Sequence, residues 1–213
     1  MQNPIPKQYM LLAGKPVIMH SLERIDKIEE ISEVIIVCAD EYVSSIRLML
    51  EQYGISKHTY FAAAGESRQA SVMSGLQLVK NDSVIIHEAA RPFVRTEDFV
   101  TIINEPCENV SFGLQIPFTV IKGMDYLTES LNRDELRNVQ LPQKYNTKLL
   151  LQSHEKAIKD GTTFTEDATL VFHYMPSTKI KIISGMEYNL KLTTRMDLLL
   201  GEQIYEEYFR RKK

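Results

Sequence analysis

The chain has no tryptophan and only two cysteines, Cys38 and Cys107. So few, so far apart, they exclude a disulfide framework and a cysteine-ligated zinc site, and they read as reduced thiols of a cytoplasmic protein. Long apolar runs are also missing. No stretch approaches the roughly eighteen apolar residues of a membrane span, and the N-terminus lacks the apolar core of a signal peptide, so neither membrane insertion nor secretion is expected. Charge of one sign is missing too: 25 basic residues against 28 acidic give a net charge of −3. No global basic field exists for nucleic acid or an anionic membrane, and any bound phosphate must be held by a local cluster of cations.

Several chemistries fall away for the same reason. There is no Gly-x-x-x-x-Gly-Lys-Ser/Thr loop and no Gly-x-Gly-x-x-Gly, which removes the P-loop and the dinucleotide fingerprint. His20, His58, His87, His154 and His173 show no metal-ligand spacing, and His154 and His173 read as packing or surface residues. No Gly-x-Ser-x-Gly elbow marks a hydrolase nucleophile. What remains is chemistry run by positioning and by cations.

With 213 residues, 44% apolar and 25% charged, the chain suits one domain with a full hydrophobic core. Strand-like and helix-like segments alternate, which predicts βα units and a mostly parallel sheet. Ile18, Leu22, Ile25 and Ile28 recur at helical spacing; Glu33 to Cys38 reads as a buried strand. Tyr42 to Tyr53 is helical in pattern, and His58 to Ala64 is a second strand. Ser67 can cap the next helix, with Val72, Leu76 and Val79 as its buried stripe. Val84 to His87 is a third strand, Thr96 caps a helix through Ile103, and Val110 to Ile116 is a fourth strand. From Pro117 to Leu141 the apolar rhythm fails, and a stretch this long is functional or pairs with a partner. Regularity resumes with a helix over 148–159, a short one after Thr165, and a strand over 179–183. Thr194 to Asp197 opens the last helix with a capping box, and the basic tail Arg210 to Lys213 suits a helix C-terminus.

The most informative segment is Val84-Ile85-Ile86-His87-Glu88-Ala89-Ala90-Arg91-Pro92-Phe93. A strand-like run stops at a glutamate, two alanines and an arginine. Ligands of open α/β sheets bind outside the carboxyl ends of strands, so Glu88 and Arg91 read either as an anionic-substrate site or as a surface ion pair. Arg68 and Ser71, three apart in a first helical turn, share a face beside free backbone N–H groups. They form an anion or base-edge site or an ordinary cap with a surface arginine. Lys7, between Pro6 and the first helical unit, and Lys191, at a strand end before the capped helix, add two lysines that are unremarkable alone.

Taken in order, Pro6-Lys7-Gln8-Tyr9, Gly14-Lys15-Pro16, Gly65 to Leu76, His87 to Phe93, Leu141-Pro142-Gln143, Thr165-Glu166-Asp167-Ala168 and Asn189-Leu190-Lys191 resemble the 2-C-methyl-D-erythritol 4-phosphate cytidylyltransferase family. The related ribitol-5-phosphate cytidylyltransferases look much the same. The resemblance spans essentially the whole chain. It implies a Rossmann-like α/β nucleotidyltransferase, three-layered, that makes a CDP-alcohol and pyrophosphate from CTP and a sugar-alcohol phosphate. It also implies that residues 117–141 form a protruding β-arm, clasping a second subunit in a homodimer. Carried over, Lys7 and Lys191 are the catalytic cations, and Gly65, Arg68 and Ser71 hold the cytidine end of CTP. Glu88, Arg91, Thr165 and Lys191 hold the sugar-alcohol phosphate, reached by Arg133 from the neighbouring chain. Mg²⁺ is expected on the nucleotide's own phosphates, and no protein ligand for it is named.

The pattern departs from the family in four places. The family's first strand and its Ala-Ala-Gly-x-Gly-x-Arg loop would precede Met1, so residues 1–213 are expected to form a single domain lacking both. Glu88 and Glu166 stand where aspartate is usual; the extra C–C bond moves a carboxylate by up to about 1.5 Å, and a misplacement near 1 Å can cost about a hundredfold in rate. Leu141 takes the place of a threonine, and Phe118 to Lys122 lacks an Asp-Thr pair. The leading expectation is transfer of CMP to 2-C-methyl-D-erythritol 4-phosphate. Ribitol 5-phosphate as acceptor, and a homologue that has lost turnover, stay open beside it.

Overall fold

The computed structural model describes residues 6–210. A 3-10 turn at Lys7–Tyr9 leads into a small antiparallel hairpin of β1 (Leu11–Leu12) and β2 (Lys15–Pro16). Helix α1 (Val17–Ile25), strand β3 (Glu33–Cys38), helix α2 (Asp40–Gln52), strand β4 (His58–Ala63), helix α3 (Arg68–Leu76) and strand β5 (Ser83–Ile86) then alternate as the periodicity predicts. Helix α4 (Thr96–Asn104) and strand β6 (Val110–Gln115) follow. The N-terminus of α4 is secured by Asp98 rather than Thr96: its carboxylate accepts from the Arg95 N–H at 2.7 Å and from the Tyr188 hydroxyl at 2.8 Å.

The polar stretch after β6 is not formless. It holds a hairpin of β7 (Val120–Lys122) and β8 (Glu129–Leu131), a 3-10 turn at Arg133–Glu135, and the start of the longest strand, β9 (Arg137–Asn146). Phe118, Ile121, Met124, Tyr126 and Leu127 all lie exposed on this excursion. Helix α5 (Thr147–Lys159), helix α6 (Asp167–Tyr174), strand β10 (Lys181–Ser184) and helix α7 (Arg195–Tyr205) complete the order. In α7 the capping box is present, Thr194 Oγ1 accepting from Asp197 N at 3.1 Å. Arg210 pairs with Glu206, while the rest of the basic tail, 211–213, lies outside the described residues. Lys191 does not end a strand; β10 stops at Ser184, and Lys191 sits on an irregular segment tied down by Leu192 N–H donating to Ala90 O at 2.8 Å.

Strand β9 is the element that periodicity misses. It runs antiparallel between β5 and β6, with β10 parallel to β6 beyond, so the four-stranded sheet is mixed. Gln140, Gln143 and Lys144 interrupt its apolar pattern, yet all three are buried. They survive burial because each is hydrogen-bonded: Gln140 Nε2 donates to Met186 O at 3.0 Å and its Oε1 accepts from Met186 N at 2.9 Å. Lys144 Nζ donates to Ile103 O at 3.1 Å. Pro142 is tolerated because the β6–β9 register skips there, Ser111 facing Gln143 and Phe112 facing Gln140, and bulges are where sheets accept proline.

Helices cover both faces, giving three layers. On one side α1 and α2 pack Ile18, Met19, Leu22 and Ile46 against Ile36 and Cys38, and α4 packs Ile102 on Val110 and Phe112. On the other, α3, α5 and α6 bury Leu76, Leu150, Ala157, Leu170 and Val171 around Tyr145.

The sheet is nevertheless in two parts, β3–β4 and β10–β6–β9–β5. Two strands expected to be buried are therefore only partly so: Val34, Ile35, Val37, Val84, Ile85 and Ile86 are half-buried. Among the described residues no strand pairs with the facing edges of β3 and β5.

Gln140→Leu removes a buried donor and acceptor together and strands both polar groups of Met186. Each unmet group costs about 1–3 kcal/mol, so urea unfolding should show a loss of about 2–5 kcal/mol; a neutral result would mean that the Gln140–Met186 pair does not hold β9 to the segment after β10.

Candidate active site

Three chain segments meet at the carboxyl end of β5. Arg91 N–H donates to Glu88 O at 2.9 Å, closing a turn that aims both side chains the same way. Glu88 then accepts from Lys191 Nζ at 2.8 Å and Arg91 Nε at 3.2 Å, with Arg68 Nε at 3.5 Å. Arg91 also donates from Nη1 to Asn189 O at 3.0 Å, and the buried Asn189 donates from Nδ2 to Leu141 O at 2.7 Å. The 189–192 segment is thereby fixed against both β5 and β9.

Arg68 arrives from α3, whose start is set locally. Ser67 Oγ accepts from Ala70 N at 3.0 Å, capping the helix, and Ser71 Oγ accepts from Gly65 N at 3.0 Å. The loop folds so tightly here that a Cβ on Gly65 would lie 2.5 Å from the Ala70 Cβ, so only glycine fits. Behind Arg68 stands a second carboxylate layer. Its Nη2 donates to Asp167 Oδ2 at 2.7 Å and lies 3.5 Å from Glu166 Oε1. Asp167, 1% exposed, accepts in turn from Nε2 of the fully buried His154 at 3.0 Å.

The electrostatics follow from this packing. Burial alone would raise the Glu88 carboxyl, but the hydrogen bond and charge of Lys191, with Arg91 and Arg68, outweigh it and hold the group below the usual carboxylate range. Burial likewise opposes the Asp167 charge, and His154 with Arg68 overcomes it, so Asp167 also sits low. Glu166 goes the other way: burial raises it, and the Asp167 charge adds to that against the pull of Arg68. His87, whose Nε2 meets Ser21 Oγ at 3.1 Å, is lowered to about 4 by burial and is neutral at pH 7.

Lys7, Arg68, Ser71, Glu88 and Lys191 line one cavity of about 980 Å³. The expected residues therefore separate into two groups. Lys7, Gly65, Arg68, Ser71, Glu88, Arg91 and Lys191 are gathered at or beside this cavity. Thr165 is exposed on the loop before Glu166, the N-cap of α6. Arg133 is exposed on the excursion after β6, where it donates to Pro117 O at 2.7 Å. Sequence reasoning gave Asp167 and His154 no role in the site. The signal available for His154 was its place between Leu150 and Ala157 on the buried face of α5.

Arg68, Arg91 and Lys191 meet Glu88, Glu166 and Asp167, and Lys7 stands on the wall of the same cavity, a grouping of cations suited to anionic oxygens. The carboxylates do not fit a protein-held Mg²⁺. Both Glu88 oxygens and both Asp167 oxygens are engaged by cations or His154, and the described residues contain no cluster of three potential ligands. Among the same residues no helix is long and apolar enough to cross a membrane.

The family model described as 2-C-methyl-D-erythritol 4-phosphate cytidylyltransferase (IspD) matches residues 1–207. A Clostridium botulinum protein named 2-C-methyl-D-erythritol 4-phosphate cytidylyltransferase is 32% identical, over 97% of this chain and 92% of its own. A protein of the same name from Halalkalibacterium halodurans is 32% identical, over 96% and 91%. The solved structure of 4-diphosphocytidyl-2C-methyl-D-erythritol synthase from Anaerococcus prevotii superposes with a TM-score of 0.87 at 26% identity, covering 94% of this chain and 90% of that one. The Thermus thermophilus structure, at 23% identity and a TM-score of 0.77, shares the fold. With an α/β architecture and a cation-lined site at its strand ends, the chain belongs to the 2-C-methyl-D-erythritol 4-phosphate cytidylyltransferase family.

Proposed function

We propose that this protein transfers the cytidylyl group of CTP to 2-C-methyl-D-erythritol 4-phosphate and releases pyrophosphate. The observation that carries this is the convergence of three cations on Glu88 at the end of β5, beside a cavity shared with Lys7 and Ser71. A phosphomonoester, with a second pKa of about 6, is already largely dianionic at neutral pH. Its oxygen attacks the α-phosphorus of CTP directly, the bond to the β-phosphate breaks, and pyrophosphate carries the charge away. No general base is needed, which suits a site where His87 is neutral and hydrogen-bonded to Ser21 and His154 is taken up by Asp167. In-line alignment and fixed cations supply the rate enhancement.

In this reading Lys7 and Lys191 offset charge on the triphosphate and at the reacting centre. Gly65, Arg68 and Ser71 receive the cytidine end, with Arg68 oriented by Asp167. Glu88 and Arg91 receive the polyol phosphate, and Thr165 joins them from its loop. Mg²⁺ would enter on the phosphates of CTP, since both oxygens of Glu88 and both of Asp167 are already engaged. The reduced Cys38 and Cys107 suit a cytoplasmic setting. Two copies pair through the 117–141 arm, supported by its exposed Phe118, Met124, Tyr126 and Leu127; patches of this kind mark protein interfaces. Arg133 then reaches the partner's polyol phosphate.

Purified protein should release pyrophosphate from CTP with 2-C-methyl-D-erythritol 4-phosphate and more slowly with ribitol 5-phosphate; release from neither would remove the enzyme reading. Lys7→Ala should lower kcat by about 100–1,000-fold while changing stability by less than about 0.5 kcal/mol, as Lys7 is exposed. An unchanged kcat would take Lys7 out of the reaction.

Because its partners hold the folded Glu88 carboxyl low, its ion pairs stabilise the fold above the ordinary glutamate value of about 4.3. That contribution disappears as pH falls through the lower folded value. Urea titrations from about pH 7 to pH 3 should therefore show a smaller acid-side loss in Glu88→Gln than in the unsubstituted protein. Parallel curves would contradict the assignment.

Met124→Glu combined with Tyr126→Glu places two charges on the arm's apolar surface. Sedimentation should show a dimer become a monomer, with activity falling as Arg133 loses the neighbouring site; an unchanged dimer would place the interface elsewhere.

A further inference from the structure

Helix α7 follows Lys191 without slack. Its N-cap, Thr194, comes after only Leu192 and Thr193, and Asp197 Oδ2 closes the cap by accepting from Thr193 N at 2.8 Å and Thr194 N at 2.7 Å. Further along, the backbone at Gly201 lies against three chain segments at once. A Cβ there would stand 3.1 Å from Phe93 Cζ, 3.2 Å from Leu192 Cδ2 and 3.3 Å from Leu12 Cδ1. Phe93 follows the Glu88–Arg91 turn, Leu192 adjoins Lys191, and Leu12 belongs to the β1–β2 hairpin.

The next residue, Glu202, reaches that hairpin. Its Oε1 accepts from the Ala13 N–H at 2.9 Å. Ala13 and Gly14 turn β1 into β2 at φ +50° and +76°. Positive φ at both central residues matches the twist of a two-residue hairpin, but alanine is sterically disfavoured there. The hydrogen bond of such a turn runs between the residues flanking the central pair. The Ala13 N–H therefore depends on an acceptor from outside, and a carboxylate is the stronger kind.

A second hold lies at the end of the helix. Tyr205 sets its ring 5.2 Å from that of His20, edge-on, and His20 donates from Nε2 to Leu12 O at 2.9 Å. Burial lowers His20 to about 4, so the ring is neutral at pH 7 and its one proton is committed to that carbonyl.

The hairpin in turn carries Lys7. The 3-10 turn at Lys7–Tyr9 runs directly into β1, Met10 N–H donating to Lys7 O at 3.2 Å, and Val17 N–H fastens the stem by donating to Met10 O at 2.9 Å. Lys7 and Lys191 then stand on the wall of one cavity, although they come from opposite ends of the sequence.

We propose that Glu202 is a positioning residue for Lys7. Helix α7 is a rigid strut: its first turn fixes Lys191, and Glu202, roughly 12 Å further along the axis, pegs the hairpin that presents Lys7. Glu202 acts through the Ala13 turn and not on a substrate. This inference rests on the assignment of Lys7 to the triphosphate of CTP.

Glu202→Ala removes the acceptor while keeping a strong helix former in α7. With CTP and 2-C-methyl-D-erythritol 4-phosphate its kcat should fall about 10–100-fold, the scale of an ångström-sized misplacement, with KM for the polyol phosphate changed by less than about threefold. Glu202→Gln keeps an acceptor for Ala13 and should stay within about threefold of the unsubstituted kcat. The double variant decides the route: Lys7→Ala/Glu202→Ala should match Lys7→Ala alone to within about twofold. A full further loss in the Lys7→Ala background would make Glu202 a general structural residue and overturn the proposal. An unchanged kcat in Glu202→Ala, or equal losses in the Gln and Ala variants, would overturn it too. If Glu202→Ala fails to fold, Glu202→Asp, which withdraws the carboxylate by about 1.5 Å, takes its place in the same cycle. Failure of the underlying reading shows differently, because the unsubstituted protein then releases no pyrophosphate. Amide exchange over 11–16 decides the strut in that case: about tenfold faster in Glu202→Ala if α7 pegs the hairpin, unchanged if it does not.

Discussion

A single carboxylate organises the site. Glu88 sits at the end of β5 with 18% of its side chain exposed, and it meets a lysine from the 189–192 segment, an arginine from its own turn and an arginine from α3. Unpaired, those cations would repel one another and swing into solvent. Paired through Glu88, they are held close together and partly desolvated, where anionic oxygens bind more strongly than at an open surface. The pairs themselves need contribute little net stability, because desolvation offsets much of the attraction. Their value is geometric.

Arg68 shows the same logic one layer deeper. Asp167 and His154 are almost fully buried, and Arg68 is their link to the cavity. A buried carboxylate bonded on two sides is held in place, so the guanidinium it bonds is preorganised at the cavity wall. The glutamates at 88 and 166 are both engaged within this arrangement. Glu88 spans cations on three segments, and Glu166 turns back to accept from Asp167 N at 3.1 Å and cap α6.

The alternation of β3, α2, β4, α3 and β5 was legible because each element buries one apolar stripe or run, and period alone identifies it. Strand β9 was not. Its Gln140, Gln143 and Lys144 look solvent-facing in the sequence, and only the groups that satisfy them across the fold make them interior residues. The hairpin of β7 and β8, implied only by the family resemblance, was hidden from periodicity for the opposite reason: its apolar residues are exposed, so no core imposes a period. At the site, Glu88, Arg91, Arg68 and Lys191 could each be picked out, but no spacing rule says that their three segments converge. The split between β3 and β5 was invisible at the level of local pattern, because it is a fact about which strands pair.

The central claim is that Glu88 is ionised and held by three cations. Carbon-13 NMR of the glutamate side-chain carboxyls, with Glu88 assigned by comparison with Glu88→Gln, reads its titration directly. A midpoint below the ordinary value of about 4.3 is the expected result. A midpoint at or above that value would mean that burial outweighs the cations, and that the site is not assembled around this residue.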